Sequence, residues 1–353
     1  MKKVLFATTA LVFSAGIAAA EVSVGGDGRM GVVYNGSDWN FSSRIRVSFT
    51  ASGTTDGGLE FGGSVRADQA TAATNGTAAS VYISGAFGKL SMGDVVGASE
   101  ALFGDFYEVG YTDLSSQSMG TGIGFSNDIL YLTGDNGGNV GANIAGMATM
   151  TGTAGTATTV TTLSVANSGP NLLYTGTFGA FSVAASMSDG KAGSVDVGQE
   201  YAIAGAYTFG NYTVGLGYEY LDGRFAATST STTGATPPVV TVTTGTFDAK
   251  ADMITLAGVA QFGNTSVKAG VAHMGKDVDM DWYGIGASSV FGATTVGGYV
   301  QHLKDNDANE DVTWYGLGAE YDLGGGASIK GGVADNDLSG SDMVADLGVK
   351  FSF

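Results

Sequence analysis

Apolar and polar residues alternate along most of this chain in runs of about ten, the length a tilted strand needs to cross a bilayer. Over Val22–Tyr34 one face carries Val22, Val24, Met30, Val32 and Tyr34, and the other Ser23, Asp27 and Arg29. Over Trp39–Thr50, Trp39, Phe41, Ile45, Val47 and Phe49 oppose Asn40, Ser42, Arg44, Arg46 and Ser48. Over Leu59–Asp68, Leu59, Phe61, Val65 and Ala67 oppose Glu60, Ser64, Arg66 and Asp68. The last residues, Val349–Phe353, alternate in the same way and stop on an aromatic. A period of two sorts each set to one side of a sheet. Strands can cross a membrane only when they close into a barrel, because an open edge would leave backbone groups unpaired in hydrocarbon.

The connections fall into two kinds. Ser84–Lys89, Thr208–Tyr212, Gln261–Thr265 and Val290–Thr294 each carry a Phe-Gly step followed by Lys, Asn or Ala, and predict tight reversals. The others are long and polar: Asp222–Lys250 is Thr-rich with Pro237-Pro238, and Leu303–Asp311 is acidic. Short turns on one rim and long loops on the other are the asymmetry of outer-membrane barrels. Sixteen strands are counted outside Val96–Pro170; a hairpin over Ser126–Thr133 and Val140–Met150 would make eighteen. Both numbers are even, as antiparallel closure with both termini on one side requires.

Composition supports a membrane wall over a soluble sandwich, which would show the same alternation with its apolar face inward. Charged residues are 14 % of the chain, against roughly 25 % in soluble domains, and there are 59 Gly and 3 Pro. The start, Met1-Lys2-Lys3, an apolar run to Ile17 and Ala18-Ala19-Ala20, reads as a secretory signal peptide over residues 1–20, leaving one barrel domain over 21–353. No later apolar stretch approaches the roughly 20 residues of a membrane helix. The absence of cysteine argues against a disulfide-stapled secreted domain, and a net charge of −18 opposes binding to nucleic acid.

Candidate chemistry lies on the polar face. Arg29, Arg44, Arg46 and Arg66 all fall there on three consecutive strands, so they share one lumen wall. Arginine suits this because it stays charged under crowding. Lys268, Lys330 and Lys350 point inward by the same parity and are expected to line the wider lumen. Tyr212, Val214, Leu216, Tyr218 and Tyr220 share the opposite face and suggest interfacial aromatic girdles. Asp305, Asp307, Asn309 and Asp311 resemble the start of a calcium loop, but Glu310 stands where that loop needs glycine. With Asp277, Asp279 and Asp281 they read most simply as solvated charge, with a structural calcium as the sharper alternative. His273 and His302 lie in apparent wall strands with no evident catalytic partner, so neither an enzyme nor an organic cofactor is expected.

The stretch Ala98-Ser-Glu100-Ala-Leu-Phe103-Gly104-Asp105-Phe-Tyr107-Glu108-Val-Gly-Tyr111-Thr-Asp113-Leu114 resembles the constriction loop of the porins of Rhodobacter-type alphaproteobacteria. So do Asp27-Gly-Arg29-Met-Gly31, Trp39-Asn-Phe-Ser-Ser-Arg44, Phe181–Gly190, Tyr315-Gly-Leu-Gly and the closing Asp346-Leu-Gly-Val-Lys-Phe351. The regions Gly120–Pro170 and Asp222–Lys250 depart from the family pattern. The resemblance implies an all-β, sixteen-stranded trimeric barrel whose third loop, here about 96–170, folds inward. That loop would set Glu100, Asp105, Glu108 and Asp113 against the arginine wall, and opposed charge in a narrow waist is how pores are tuned.

The expected function is therefore passive diffusion of small hydrophilic solutes and ions through a trimeric pore in the lipid of the cell outer membrane. Phe351 and Phe353 would form the assembly signal read by the barrel-assembly machinery. One rival is a substrate-specific channel, marked by lumen aromatics or saturable flux. The other is a structural or adhesive barrel, marked by a closed lumen.

Overall fold

A computed structural model describes residues 21–68, 78–114, 131–133, 157–166, 170–192, 195–196, 198–233, 240–307, 309–337 and 342–353. The signal-peptide expectation and nearly all of the extra hairpin, 126–130 and 140–150, lie outside these residues. In chain order come β1 (Glu21–Tyr34), β2 (Trp39–Thr54), β3 (Glu60–Asp68), β4 (Ala78–Gly85), β5 (Gly88–Gly93), helix α1 (Ala98–Phe103), β6 (Ala157–Ala166), β7 (Leu172–Phe178) and β8 (Phe181–Met187). The two-residue strands β9 (Lys191–Ala192) and β10 (Val195–Asp196) follow, then β11 (Gly198–Phe209), β12 (Tyr212–Thr233), β13 (Val240–Phe262), β14 (Thr265–Lys276) and β15 (Met280–Phe291). The chain ends with β16 (Thr294–Asp305), β17 (Glu310–Gly324), β18 (Ala327–Asn336) and β19 (Val344–Ser352).

Sixteen of these strands make a closed antiparallel barrel: β1–β5, β7, β8 and β11–β19. After β5 the chain leaves the wall, and β5 pairs with β7 instead, with Leu90 opposite Tyr174. Closure is made by β19 on β1, with Met30 opposite Val349. The alternation read from sequence holds: Val22, Val24, Met30, Phe41, Ile45 and Phe49 are exposed on the outer face, and Phe41 is 97 % exposed. Large apolar residues facing outward mark a wall meant for lipid. Phe178, Phe181, Phe209, Tyr212, Phe262 and Phe291 flank the tight turns and stand exposed in a ring at that rim.

Two sequence expectations change. Leu303–Asp311 is not a long loop: β16 and β17 stay paired from Leu303 opposite Val312 to Asp305 opposite Glu310, with only 306–309 between the strands. Asp222–Lys250 is not simply a polar loop either. Strand β12 runs 22 residues and β13 runs 23, about twice what crossing requires, and they stay paired as far as Thr232 opposite Val240. The extra strand β6 pairs with the far half of β12, from Arg224 opposite Ala166 to Thr233 opposite Ala157. Runs of threonine and valine are polar enough to read as loop, yet their branched Cβ atoms favour extended backbone. The prolines Pro237 and Pro238 lie outside the described residues.

The core is unusual in its place. It sits inside the barrel, where Phe103, Phe106, Val109 and Leu114 of the segment after β5 pack on wall residues such as Met253, Trp282, Tyr299 and Leu303.

The seam depends on the last residue. Phe353 accepts a backbone hydrogen bond from Gly26 at 2.7 Å and donates one back at 3.0 Å. The rings of Phe351 and Phe353 stack at 6.1 Å over Gly28 and Gly26, where a Cβ would collide with them. Deleting Phe353 removes two backbone bonds worth roughly 1 kcal/mol each, and should lower the yield of folded barrel as read by its heat-modifiable band. Unchanged yield would show that the seam closes without it.

Candidate functional site: the constriction

The segment from Ala98 to Leu114 travels around the inside of the barrel, and small wall residues clear its path. A side chain on Gly215 or Gly217 of β12 would overlap Phe103 or Ser99. A Cβ on Gly286 of β15 would lie 2.8 Å from Phe106, on Gly297 of β16 2.5 Å from Tyr107, and on Gly332 of β18 2.6 Å from Val109. On Gly348 of β19 it would lie 2.7 Å from Tyr111. Glycine here serves close approach rather than a turn. Phe106 then stacks between Trp282 and Tyr299, with ring centroids at 6.2 and 6.5 Å. The Trp282 Nε1–H donates to Gln301 at 3.0 Å, so the buried indole keeps its partner.

Charged wall residues tie the loop at successive points. At its start the Ala98 N–H donates to Ser186 Oγ at 2.9 Å. Glu219 of β12, fully buried, accepts from the Thr133 N–H at 2.6 Å and the Thr133 hydroxyl at 3.0 Å. Lys268 of β14 donates to the carbonyls of Phe103, at 2.6 Å, and of Asp105. Glu108 bridges Lys330, at 2.6 Å, and Lys350, at 3.0 Å. Burial alone would push the Glu108 carboxyl up, but the two ammonium groups outweigh it and hold the group below its ordinary value. Asp346 of β19 takes the next turn of the loop, accepting from the N–H groups of Tyr111 and Thr112.

The expected arginines stand beside the Tyr111–Leu114 turn of the loop. Register sets Lys350, Arg29 and Arg44 opposite one another across β19, β1 and β2. Like charges directly opposite repel, so the row needs counter-groups. Glu108 supplies one to Lys350, the Tyr111 carbonyl accepts from Arg29 Nη1 at 3.2 Å, and Asp27 pairs with Arg44 at 3.3 Å. Arg46 stands opposite Asp27 on β1 and Asp68 on β3, and Arg66 opposite Ser48 on β2. Among the expected acids, Glu100 lies in α1, and its carbonyl accepts the Gly104 N–H that ends the helix. Asp105 lies beside Lys268. Asp113 sits at φ 58° in the turn that follows Tyr111.

Three wall lysines therefore do something their parity did not reveal. Lys268, Lys330 and Lys350 face inward as expected, but they hold the loop instead of lining open lumen. Inward parity was legible for them and for Asp346 and Glu219, whereas the loop groups they meet lie 163 to 242 residues away for the lysines. On the outer face His273 pairs with Asp281 at 2.9 Å, and His302 meets Thr313 at 3.0 Å. Asn306 donates to Asp279 and Asp281, so the two acidic runs of the sequence meet at one rim.

Comparisons with known proteins agree with this geometry. The family model described as Gram-negative porin matches residues 7–341. The chain is 51 % identical to a porin of Rhodobacter capsulatus, over 94 % of this chain and all of that one. A porin structure refined at 1.8 Å aligns with a TM-score of 0.70 at 48 % identity, over 94 % of this chain and all of that one. A triple mutant of Rhodopseudomonas blastica porin, at 21 % identity, shares the fold with a TM-score of 0.58 and the same coverage. A closed barrel with an apolar outer wall and an inward loop is a passive channel of the outer membrane, and this chain belongs to the Gram-negative porin family.

Proposed function

We propose that diffusion through this pore is filtered by charge, with Arg29, Arg44, Arg46 and Arg66 as the positive wall of the constriction and Glu100, Asp105, Glu108 and Asp113 as its acidic loop. The carrying observation is the row Lys350–Arg29–Arg44, which meets the loop at Glu108 and Tyr111. The described stretch of the loop, 98–114, lies against the wall from β7 round to β1, and the arginines stand on β1–β3 beside its last residues. Unit charges interact weakly in bulk water and more strongly where low-dielectric walls confine the field. No energy source and no organic cofactor is needed for such a filter. A structural calcium would have to come from the acidic runs Asp277–Asp281 and Asp305–Asp311, where, among the described residues, no group of three or more carboxylates lies close enough to hold one.

We also propose a homotrimer packed through the wall of β1–β5. Strands β4 and β5 have 8 and 6 residues, short of the roughly 9 to 11 that a lone strand needs to span the core. Their outer face forms a shallow apolar hollow of about 1000 Å³ lined by Val22, Phe49, Phe61, Val65, Val81 and Met92. A second copy would cover what a low wall leaves to lipid. Phe351 and Phe353, outward on the last strand, are the residues we assign to recognition by the assembly machinery.

Three outcomes are expected. Reversal potential under a salt gradient should move toward cations when Arg44 and Arg46 are both changed to Gln, and toward anions when Asp105 and Glu108 become Asn and Gln. Both shifts should shrink near 1 M salt, where the Debye length is about 3 Å; wild-type values at low salt in both double mutants would remove these residues from the waist. Native mass measurement in detergent should give three copies, and a monomer of normal conductance would contradict the packing. The Glu108 pairs stabilise the docked loop above the carboxylate's unfolded pKa and lose that effect as pH falls through its lower folded value. Single-channel current should therefore stay quiet through mildly acidic pH and become noisy below the usual carboxylate range, with Glu108→Gln noisy at neutral pH as well.

A further inference from the structure

The Tyr111–Thr112 turn of the loop is held by a carboxylate outside the proposed filter set. Asp346 is 5 % exposed on the inner face of β19. Its Oδ1 accepts the Tyr111 N–H at 3.1 Å, and its Oδ2 accepts the Thr112 N–H at 2.8 Å and the Thr112 hydroxyl at 2.6 Å. Tyr111 passes this hold onward. Its carbonyl receives Arg29 Nη1 at 3.2 Å, and its phenol donates to the Ser42 carbonyl on β2 at 3.4 Å. The turn is left-handed at Gly110 (φ 79°) and Asp113 (φ 58°), a shape that needs outside support at the non-glycine position. Gly110 has no room for a side chain, since its Cβ would lie 2.5 Å from Asp346 Oδ1.

We propose that Asp346 is a positioning residue for ion selectivity, fixing the Tyr111 carbonyl so that Arg29 is held at the waist. The proposal rests on the reading of Arg29 as a filter residue. A carboxylate receiving three donors makes strong charge-assisted bonds, and an amide in its place offers one acceptor oxygen and turns two donors toward donors. Without that hold the turn relaxes, the Arg29 guanidinium loses its acceptor, and its charge spreads over a wider volume of the lumen.

The sign of the effect separates positioning from simple electrostatics. Removing one negative charge from the lumen would by itself move selectivity toward anions. Loosening Arg29 moves it toward cations. In reversal-potential measurements at low salt, Asp346→Asn is expected to raise the cation-to-anion permeability ratio by about twofold, the lower end of coupling through a contact network. Thr112→Val, which removes the 2.6 Å bond and no charge, should shift the ratio the same way by less, and serves if Asp346→Asn fails to assemble. In an Arg29→Gln background the cation shift of either variant should vanish. An anion shift, no shift, or a cation shift that survives Arg29→Gln would overturn the proposal. If Arg29→Gln alone leaves the reversal potential unchanged, the filter reading itself falls, and the positioning role falls with it.

Discussion

Backbone groups in hydrocarbon have no water to turn to, and most of this structure answers that constraint. Sixteen strands close on themselves because an open edge would leave a row of N–H and C=O groups unpaired. The seam between β19 and β1 is where the first and last strands meet to satisfy it. Once the wall is closed by its own ladder, its outer face is left to lipid and its inner face to whatever the chain folds inside. The usual arrangement of a soluble domain is thereby reversed, with exposed apolar residues outside and a packed cluster in the lumen.

What folds inside is a loop, and a loop against a wall must have its own polar groups satisfied. Here wall side chains of both signs do it: lysines take loop carbonyls and Glu108, while Glu219 and Asp346 take loop N–H groups. Bare glycines let the backbone approach close enough for these bonds to form. Glycine and charge are therefore two parts of one device. The first lowers the wall and the second fastens the loop to it.

The same fastening shapes the electrostatics of the pore. A row of three cations across adjacent strands would repel, and loop groups or a neighbouring aspartate meet each of them. Loop docking and cation placement are consequently coupled, because the groups that hold the loop are the groups that balance the row. Exposed ion pairs contribute little, but Lys330 has only 3 % of its side chain exposed, so its pair with Glu108 is a buried one and costly to break.

Period-two alternation determined which residues share a face, because that is a local property of extended backbone, and the low charge of the chain then turned the apolar face outward and aimed Arg29, Arg44, Arg46 and Arg66 inward. The tight turns were legible for the same reason: a Phe-Gly step specifies its own geometry. The long pairing of β12 with β13 and β6 was not, since threonine serves both loop and strand, and pairing is decided by a partner rather than by the segment. Nor could the sequence say that Lys330 and Lys350 share Glu108, or that Asp346 reaches Tyr111 from 235 positions away. Those contacts join loop to wall across the closed barrel, and only closure brings residues so far apart in the chain within a hydrogen bond of each other.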